Sequence, residues 1–247
     1  MSVCLSAKEV CKSFGSLVAV SNVSFEVETG EIFGIAGPNG AGKTTLFNMI
    51  TGLPFHPDSG EVWFDGARID RMPPYKIFHR GLARTFQQEV AFDGLTVLEN
   101  VRISSHYSKK SHSKDEQRIR IDKALEITGL TNDLQKRARD LPFFEKKKLM
   151  FATAIASDPK LLMLDEPAAG LSQGEGQELI QVVKQLREMG TTVIIIEHVL
   201  PILFGVSDRL LILDAGQVLT IDKPEIVAKD PRVITAYLGE RKFGGKK

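Results

Sequence analysis

An α/β fold with a mixed, mainly parallel core sheet is predicted by three observations. Apolar runs at residues 32–36, 161–165 and 191–196 have strand length, and the first two are followed by segments of helical spacing. The stretch Gly37-Pro38-Asn39-Gly40-Ala41-Gly42-Lys43-Thr44-Thr45 joins the first run to its helix and matches Gly-x-x-x-x-Gly-Lys-Thr. The chain has 247 residues and 43% hydrophobic content, enough to bury a large core.

Taken in order, residues 3–36 read as three strands, with a turn at Glu28-Thr29-Gly30-Glu31 before the run that enters the glycine-rich loop. Residues 43–50 read as a helix with Leu46, Met49 and Ile50 on one face, ending near Thr51-Gly52. Asp65-Gly66 marks a tight turn between two short strands within residues 61–69. The pattern changes at residues 90–138, where polar residues 104–113 are expected to form a mobile loop inside an inserted, mostly helical subdomain. The second β/α series carries a helix at residues 177–189 and closes with a hairpin around Asp214-Ala215-Gly216, after which residues 241–247 are expected to fray.

The glycine-rich stretch states a chemistry. Its glycines let main-chain N–H groups curl around phosphate oxygens, Lys43 reaches the β- and γ-phosphates, and Thr44 Oγ suits Mg²⁺. The helix that follows adds partial positive charge at its N-terminus. A second acidic site ends the run Leu161-Leu162-Met163-Leu164-Asp165-Glu166-Pro167. Ligands gather at the carboxyl ends of parallel strands, where Asp165 can hold Mg²⁺ through water and Glu166 can accept hydrogen bonds from an attacking water. A nucleoside triphosphate is the expected substrate.

Composition narrows the rest. The 32 Lys and Arg nearly balance the 31 Asp and Glu, which argues against nucleic-acid binding by bulk charge. Residues 109–148 hold 12 basic and 7 acidic residues, read as solvated helix faces, the Lys146-Lys147-Lys148 run included. Cys4 and Cys11 suggest neither disulfide nor zinc and fit a reducing compartment. His106 and His112 lack the cysteine or carboxylate spacing of a metal site. No secretory signal and no run of 18 apolar residues is seen, so membrane association is expected through a partner.

The order of motifs resembles the nucleotide-binding subunit of an ABC transporter over nearly the whole chain. It is carried by Lys12-Ser13-Phe14-Gly15, the Gly37–Thr45 loop, Arg84-Thr85-Phe86-Gln87, Asp165-Glu166-Pro167, Ala168-Ala169-Gly170-Leu171, and His198 after Ile194-Ile195-Ile196-Glu197. The resemblance implies a P-loop NTPase of the ABC ATPase type, a single domain over 1–247. Its core is expected at 1–89 and 158–222 with an N-terminal antiparallel β-subdomain, its helical subdomain at 90–157, and a C-terminal helix and tail at 223–247. It implies ATP and Mg²⁺ as ligands. Phe14 would stack on adenine, with Gly37, Pro38, Asn39, Gly40, Ala41, Gly42, Lys43, Thr44 and Thr45 around the phosphates. Thr44, Gln87 and Asp165 would serve the metal, and Glu166, His198, Lys43 and Gln87 the hydrolysis. Residues 168–171 would meet an opposing subunit.

Within the family, the segments at 83–87, 95–100, 165–171 and 236–240 are most similar to branched-chain amino-acid importers, and lipopolysaccharide-export ATPases share much of the pattern. This implies a cytoplasmic ATPase on integral membrane permease subunits, paired with a second ATPase subunit and served by an external binding protein. A DNA-repair ATPase of this type would need long coiled-coil arms that the gap cannot hold, and a small-molecule kinase would need an acceptor pocket and lid.

The pattern breaks at the family's signature segment, where Leu141-Pro142-Phe143-Phe144-Glu145 stands in place of Leu-Ser-Gly-Gly-Gln. Pro142 offers neither hydroxyl nor N–H, and Phe144 replaces a glycine that permits close approach to the γ-phosphate. Phe144 is expected to crowd that oxygen, and a homodimer to hydrolyse ATP poorly. A heterodimer would leave one competent site, and a subunit that binds ATP yet hardly turns it over is the alternative.

Overall fold

The computed structural model describes residues 2–88, 90–108 and 113–238. Strands β1 (Val3–Phe14) and β2 (Leu17–Glu28) form a hairpin, and β3 (Ile32–Ala36) leads through the glycine-rich loop into α1 (Lys43–Thr51). The helix stops at Gly52, whose left-handed backbone lets its N–H reach the Asn48 and Met49 carbonyls. Next come β4 (Ser59–Phe64) and β5 (Ala67–Arg68), joined by the expected Asp65-Gly66 turn, then α2 (Pro74–His79) and β6 (Leu82–Arg84).

The helical segment holds α3 (Val97–Tyr107), α4 (Lys114–Ile127) and α5 (Phe143–Ala156). Thr96 with Glu99, and Ser113 with Glu116, close reciprocal caps at the starts of α3 and α4. The chain returns with β7 (Leu161–Asp165), α6 (Gln173–Glu188), β8 (Thr192–Ile196), α7 (Leu200–Val206), β9 (Arg209–Asp214) and β10 (Gln217–Asp222), and ends on α8 (Pro224–Val227) and α9 (Pro231–Leu238).

Two sheets result. The order β2-β1-β4-β5 is antiparallel throughout, and β10-β9-β3-β8-β7-β6 is parallel except for β10. Each central strand of the second sheet is buried on both faces, as its unbroken apolar sequence requires. Phe33, Ile35, Met163, Ile194 and Ile196 pack toward α1 and the antiparallel sheet. Ile32, Leu162, Leu164, Val193 and Ile195 pack the opposite way, into the cluster that holds α6 and the helical segment.

Several elements differ from the sequence expectation. Residues 104–107, read as the start of a polar loop, complete α3. Helix α6 begins at Gln173 rather than near 177, because Ser172 and Glu175 cap each other there. Residues 109–112 of the expected loop, His112 among them, and the expected frayed tail lie outside the described residues. Cys4 and Cys11 are both free thiols. Among the described residues no helix is long and apolar enough to cross a membrane.

Candidate active site

In the parallel sheet β3, β8 and β7 are neighbours in register, with Ile35 opposite Ile196 and Ile196 opposite Asp165. Their carboxyl ends release three loops along one edge: Gly37 onward, Glu166 onward and Glu197-His198. Strand β6 pairs Arg84 with Met163 and so brings Gln87 to the same edge. This is where open parallel sheets bind ligands.

The loop at 37–42 has no room for side chains at two positions. A Cβ on Gly37 would lie 2.2 Å from the Leu213 carbonyl oxygen, and one on Gly42, whose φ is +101°, would lie 2.5 Å from that of Ala19. Lys43 is 7% exposed, and its Nζ donates to the Gly37 and Pro38 carbonyls at 2.7 and 3.0 Å. Burial pulls the pKa of Lys43 down, while Glu166 and Asp165 oppose that shift. The ammonium therefore rests inside the curl of the loop.

A cavity of about 510 Å³ opens beside it, lined by Phe14, Asn39, Lys43, Thr44, Thr45 and Glu166 among others. Pro38 and Gly37 lie on the chain just before this wall, and Gly40, Ala41 and Gly42 within it. The Phe14 ring is 45% exposed and meets the Phe55 ring edge-on at 5.1 Å, so a flat apolar surface stands at the rim. A groove of about 740 Å³ between α3 and α4 is larger, but it gathers none of these phosphate-binding groups.

Glu166 has a left-handed backbone, φ 46°, costly for a residue with a side chain, and its N–H is held by the Ile196 carbonyl at 3.0 Å. Its Oε2 accepts a 2.8 Å hydrogen bond from Gln87 Nε2. His198 Nδ1 lies 3.6 Å from the same oxygen, too far for a hydrogen bond. The fold thus gathers Gln87, Glu166 and His198, while Lys43 and Thr44 share the cavity with Glu166.

Asp165 carries a partner that the sequence did not reveal. Arg84 Nη2 donates to its Oδ2 at 2.7 Å with both side chains buried, and Arg84 Nη1 reaches Asn48 Oδ1 at 2.8 Å. A lone arginine ending a strand beside two apolar residues was the available signal. Glu197 is a second buried charge that the sequence does not mark: it is fully buried, and its Oε1 accepts from the Ala168 N–H at 2.8 Å.

The donor chemistry at this edge suits a hard cation held mostly by phosphate oxygens, because Thr44, Asp165 and Gln87 supply a few oxygens and no soft ligands. Among the described residues no group of three or more His, Cys, Asp and Glu could hold a metal alone.

The signature segment is arranged differently from the expectation. The ring expected to crowd the phosphate, Phe144, is half-buried against the helical core, with Lys148 Nζ 4.3 Å from its centre. Phe144, Lys148 and Phe151 share one face of α5, which turns Phe144 inward. The exposed ring is Phe143, and a Cβ on Gly170 would lie 3.1 Å from it. The lysine run is not a solvated face: Lys147 is 1% exposed and Lys148 pairs with Glu178.

The ABC transporter family model matches residues 20–169. The chain is 36% identical over 250 residues to the high-affinity branched-chain amino acid transport ATP-binding protein LivG of Escherichia coli K12, covering 96% of this chain and 98% of that protein. It superposes with a TM-score of 0.87 on the ADP conformation of MJ1267, an ATP-binding cassette of an ABC transporter, at 31% identity and over 97% and 100% of the two chains. The dimeric bacterial ABC transporter cassette MJ0796 superposes with a TM-score of 0.78 at 26% identity, over 89% and 98%. With a family match over more than half its length and relatives alike from end to end, the chain belongs to the ABC transporter family, among its nucleotide-binding ATPase subunits.

Proposed function

We infer that this ATPase energises import of branched-chain or other amino acids through integral membrane permease subunits, from the cytoplasmic face and with an external binding protein delivering the cargo. The similarity to LivG supports the cargo class. The observation that carries the chemistry is the meeting of Lys43 and Glu166, distant in sequence, on the wall of one cavity.

In this reading Phe14 stacks on the adenine and the loop from Gly37 to Thr45 receives the phosphates. Lys43 leaves the Gly37 and Pro38 carbonyls for the β- and γ-phosphate oxygens. Thr44, Asp165 and Gln87 would hold magnesium, which would offset phosphate charge. Glu166 takes a proton from water as the water oxygen bonds to the γ-phosphorus and the bond to the bridging oxygen breaks, releasing ADP and phosphate. His198 faces the γ-phosphate, and the loop at 168–171 meets the opposing subunit.

The opposing subunit is a second ATPase chain rather than a copy of this one. Pro142 stands at the N-cap of α5 and offers neither N–H nor side-chain cap, and Phe143 stands exposed where a glycine would leave room. Losing one preorganised donor costs on the order of 10²–10³ in rate at comparable sites. The site completed by this chain's signature segment is therefore the weak one, and the site holding Glu166 the active one.

The test is purification with native membrane partners, then phosphate release by the chain alone and by the complex, with amino-acid uptake by vesicles carrying the complex. The chain alone should be slow, and the complex faster and uptake-competent only with ATP. ATP binding without phosphate release in the complex would replace this reading with a nucleotide-gated subunit, and ATP-driven lipid export with the export class.

A further inference from the structure

A buried lysine in α5 reaches the segment that carries Gln87. Lys147 is 1% exposed, and its Nζ donates to the Gln87 main-chain carbonyl at 2.9 Å. The Phe143 ring, one helical turn back, has its centre 5.6 Å from the ammonium. Taking an ammonium out of water is costly unless its new partners compensate, so a lysine in this position marks a specified contact. Gln87 is thereby held at two ends: its carbonyl by Lys147 and its side-chain amide by Glu166 Oε2 at 2.8 Å. The start of the same helix reaches the loop that follows Glu166, since the Phe143 ring lies beside Gly170. Behind Gln87, the Thr85 N–H is fixed to the Met163 carbonyl at 2.9 Å, so the chain is anchored to β7 two residues before the Lys147 contact.

We propose that Lys147 is a positioning residue for hydrolysis: it sets where the Gln87 amide stands against Glu166, and it ties that geometry to the helix whose first turn carries this chain's signature segment. In a two-subunit arrangement α5 contributes to one nucleotide site and Gln87 to the other, so Lys147 joins the two sites within one chain. The proposal rests on the roles given above to Glu166 and Gln87. Lys147 acts on the reaction through Gln87.

The test uses K147M, K147Q and K147R in the full chain, alone and assembled with its native transporter partners. In the complex, K147M should lower turnover at saturating ATP by about tenfold to about a hundredfold, the scale on which a misplaced catalytic group costs rate. ATP affinity should be kept, and K147R should restore most of the turnover. In a Gln87→Ala background K147M should lower turnover no further, because the two residues act in series. Losses that simply multiply would overturn the proposal, as would wild-type turnover in K147M and K147Q. Turnover of Glu166→Gln tests the reading of Glu166, whereas the ratio of the Lys147 variants to the wild type tests Lys147 alone. Hydrogen exchange on the isolated chain tests the contact without turnover: residues 85–88 should lose protection in K147M or K147Q while α1 keeps its own. Unchanged protection at 85–88 in a folded variant would overturn the proposal.

Discussion

Gln87 Nε2 donates to Glu166 Oε2 at 2.8 Å, and that oxygen is also the one nearest His198 Nδ1, at 3.6 Å. A carboxylate oxygen can accept more than one hydrogen bond, so the amide orients Glu166 and leaves it able to receive a water proton. Glu166→Gln keeps the size of the side chain and can still accept from Gln87 through its amide oxygen, but it cannot take a proton. Turnover of the assembled complex should fall by about 10²–10⁴ while ATP still binds. Phosphate release and nucleotide titration measure the two effects separately, and undiminished turnover would reject Glu166 as the base.

Arg84 and Asp165 form an ion pair whose side chains are 7% and 6% exposed. Breaking such a pair from one side leaves an uncompensated charge in the interior. R84M should therefore lower unfolding stability by about 3–5 kcal/mol, and the combination with D165N should recover part of the loss. Urea unfolding of the three variants gives the coupling. Equal, additive losses would mean that the pair contributes nothing beyond its separate packing.

Gly34 lies in the middle of β3, three residues before the loop. A Cβ there would come within 2.3 Å of Leu210 Cδ2 and 2.6 Å of Ser207 Oγ, so these side chains must shift within the core to accept it. Gly34→Ala should cost about 1–3 kcal/mol. The melting temperature should fall by about 2–4 °C for each kcal/mol at this chain length. A variant that melts with the wild type would show that those neighbours yield freely.

What could be read in advance follows from how local each signal is. The central strands were legible because burial on both faces demands an unbroken apolar run, and the Asp65-Gly66 turn because two successive positive φ angles call for those residue types. Lys43 was legible because it opens a helix at the end of a glycine spacing that phosphate chemistry requires, and Glu166 because it follows directly on an apolar strand. Strand β6 is too short to show a period, and Gly174 and Gly176 hid the start of α6 although Ser172 and Glu175 announce its cap. Arg84 and Lys147 were not legible, since a charged residue reads as solvated until its distant acceptor is known. Which of Phe143 and Phe144 turns outward is likewise decided by the phase of α5 against its neighbours.

Glu197 supplies a pH test. It is fully buried; Oε1 accepts from Ala168 N–H, and Oε2 has no partner among the described residues. Burial pushes its carboxyl pKa up, and the Glu166 charge adds to that, while the Ala168 N–H and His198 act against it. A carboxyl whose pKa is higher in the folded than in the unfolded chain stabilises the fold below its unfolded pKa and loses that contribution as pH rises through the folded value. Glu197→Gln keeps an acceptor for Ala168 N–H and never ionises. Its melting temperature should gain on the wild type as pH rises from the ordinary carboxyl range and level off above the folded pKa. Melting both proteins from about pH 4 to about pH 9 isolates this residue, because the two chains differ at no other position. A difference that stays constant across the range would show that Glu197 holds its proton no more tightly in the folded chain than in the unfolded one.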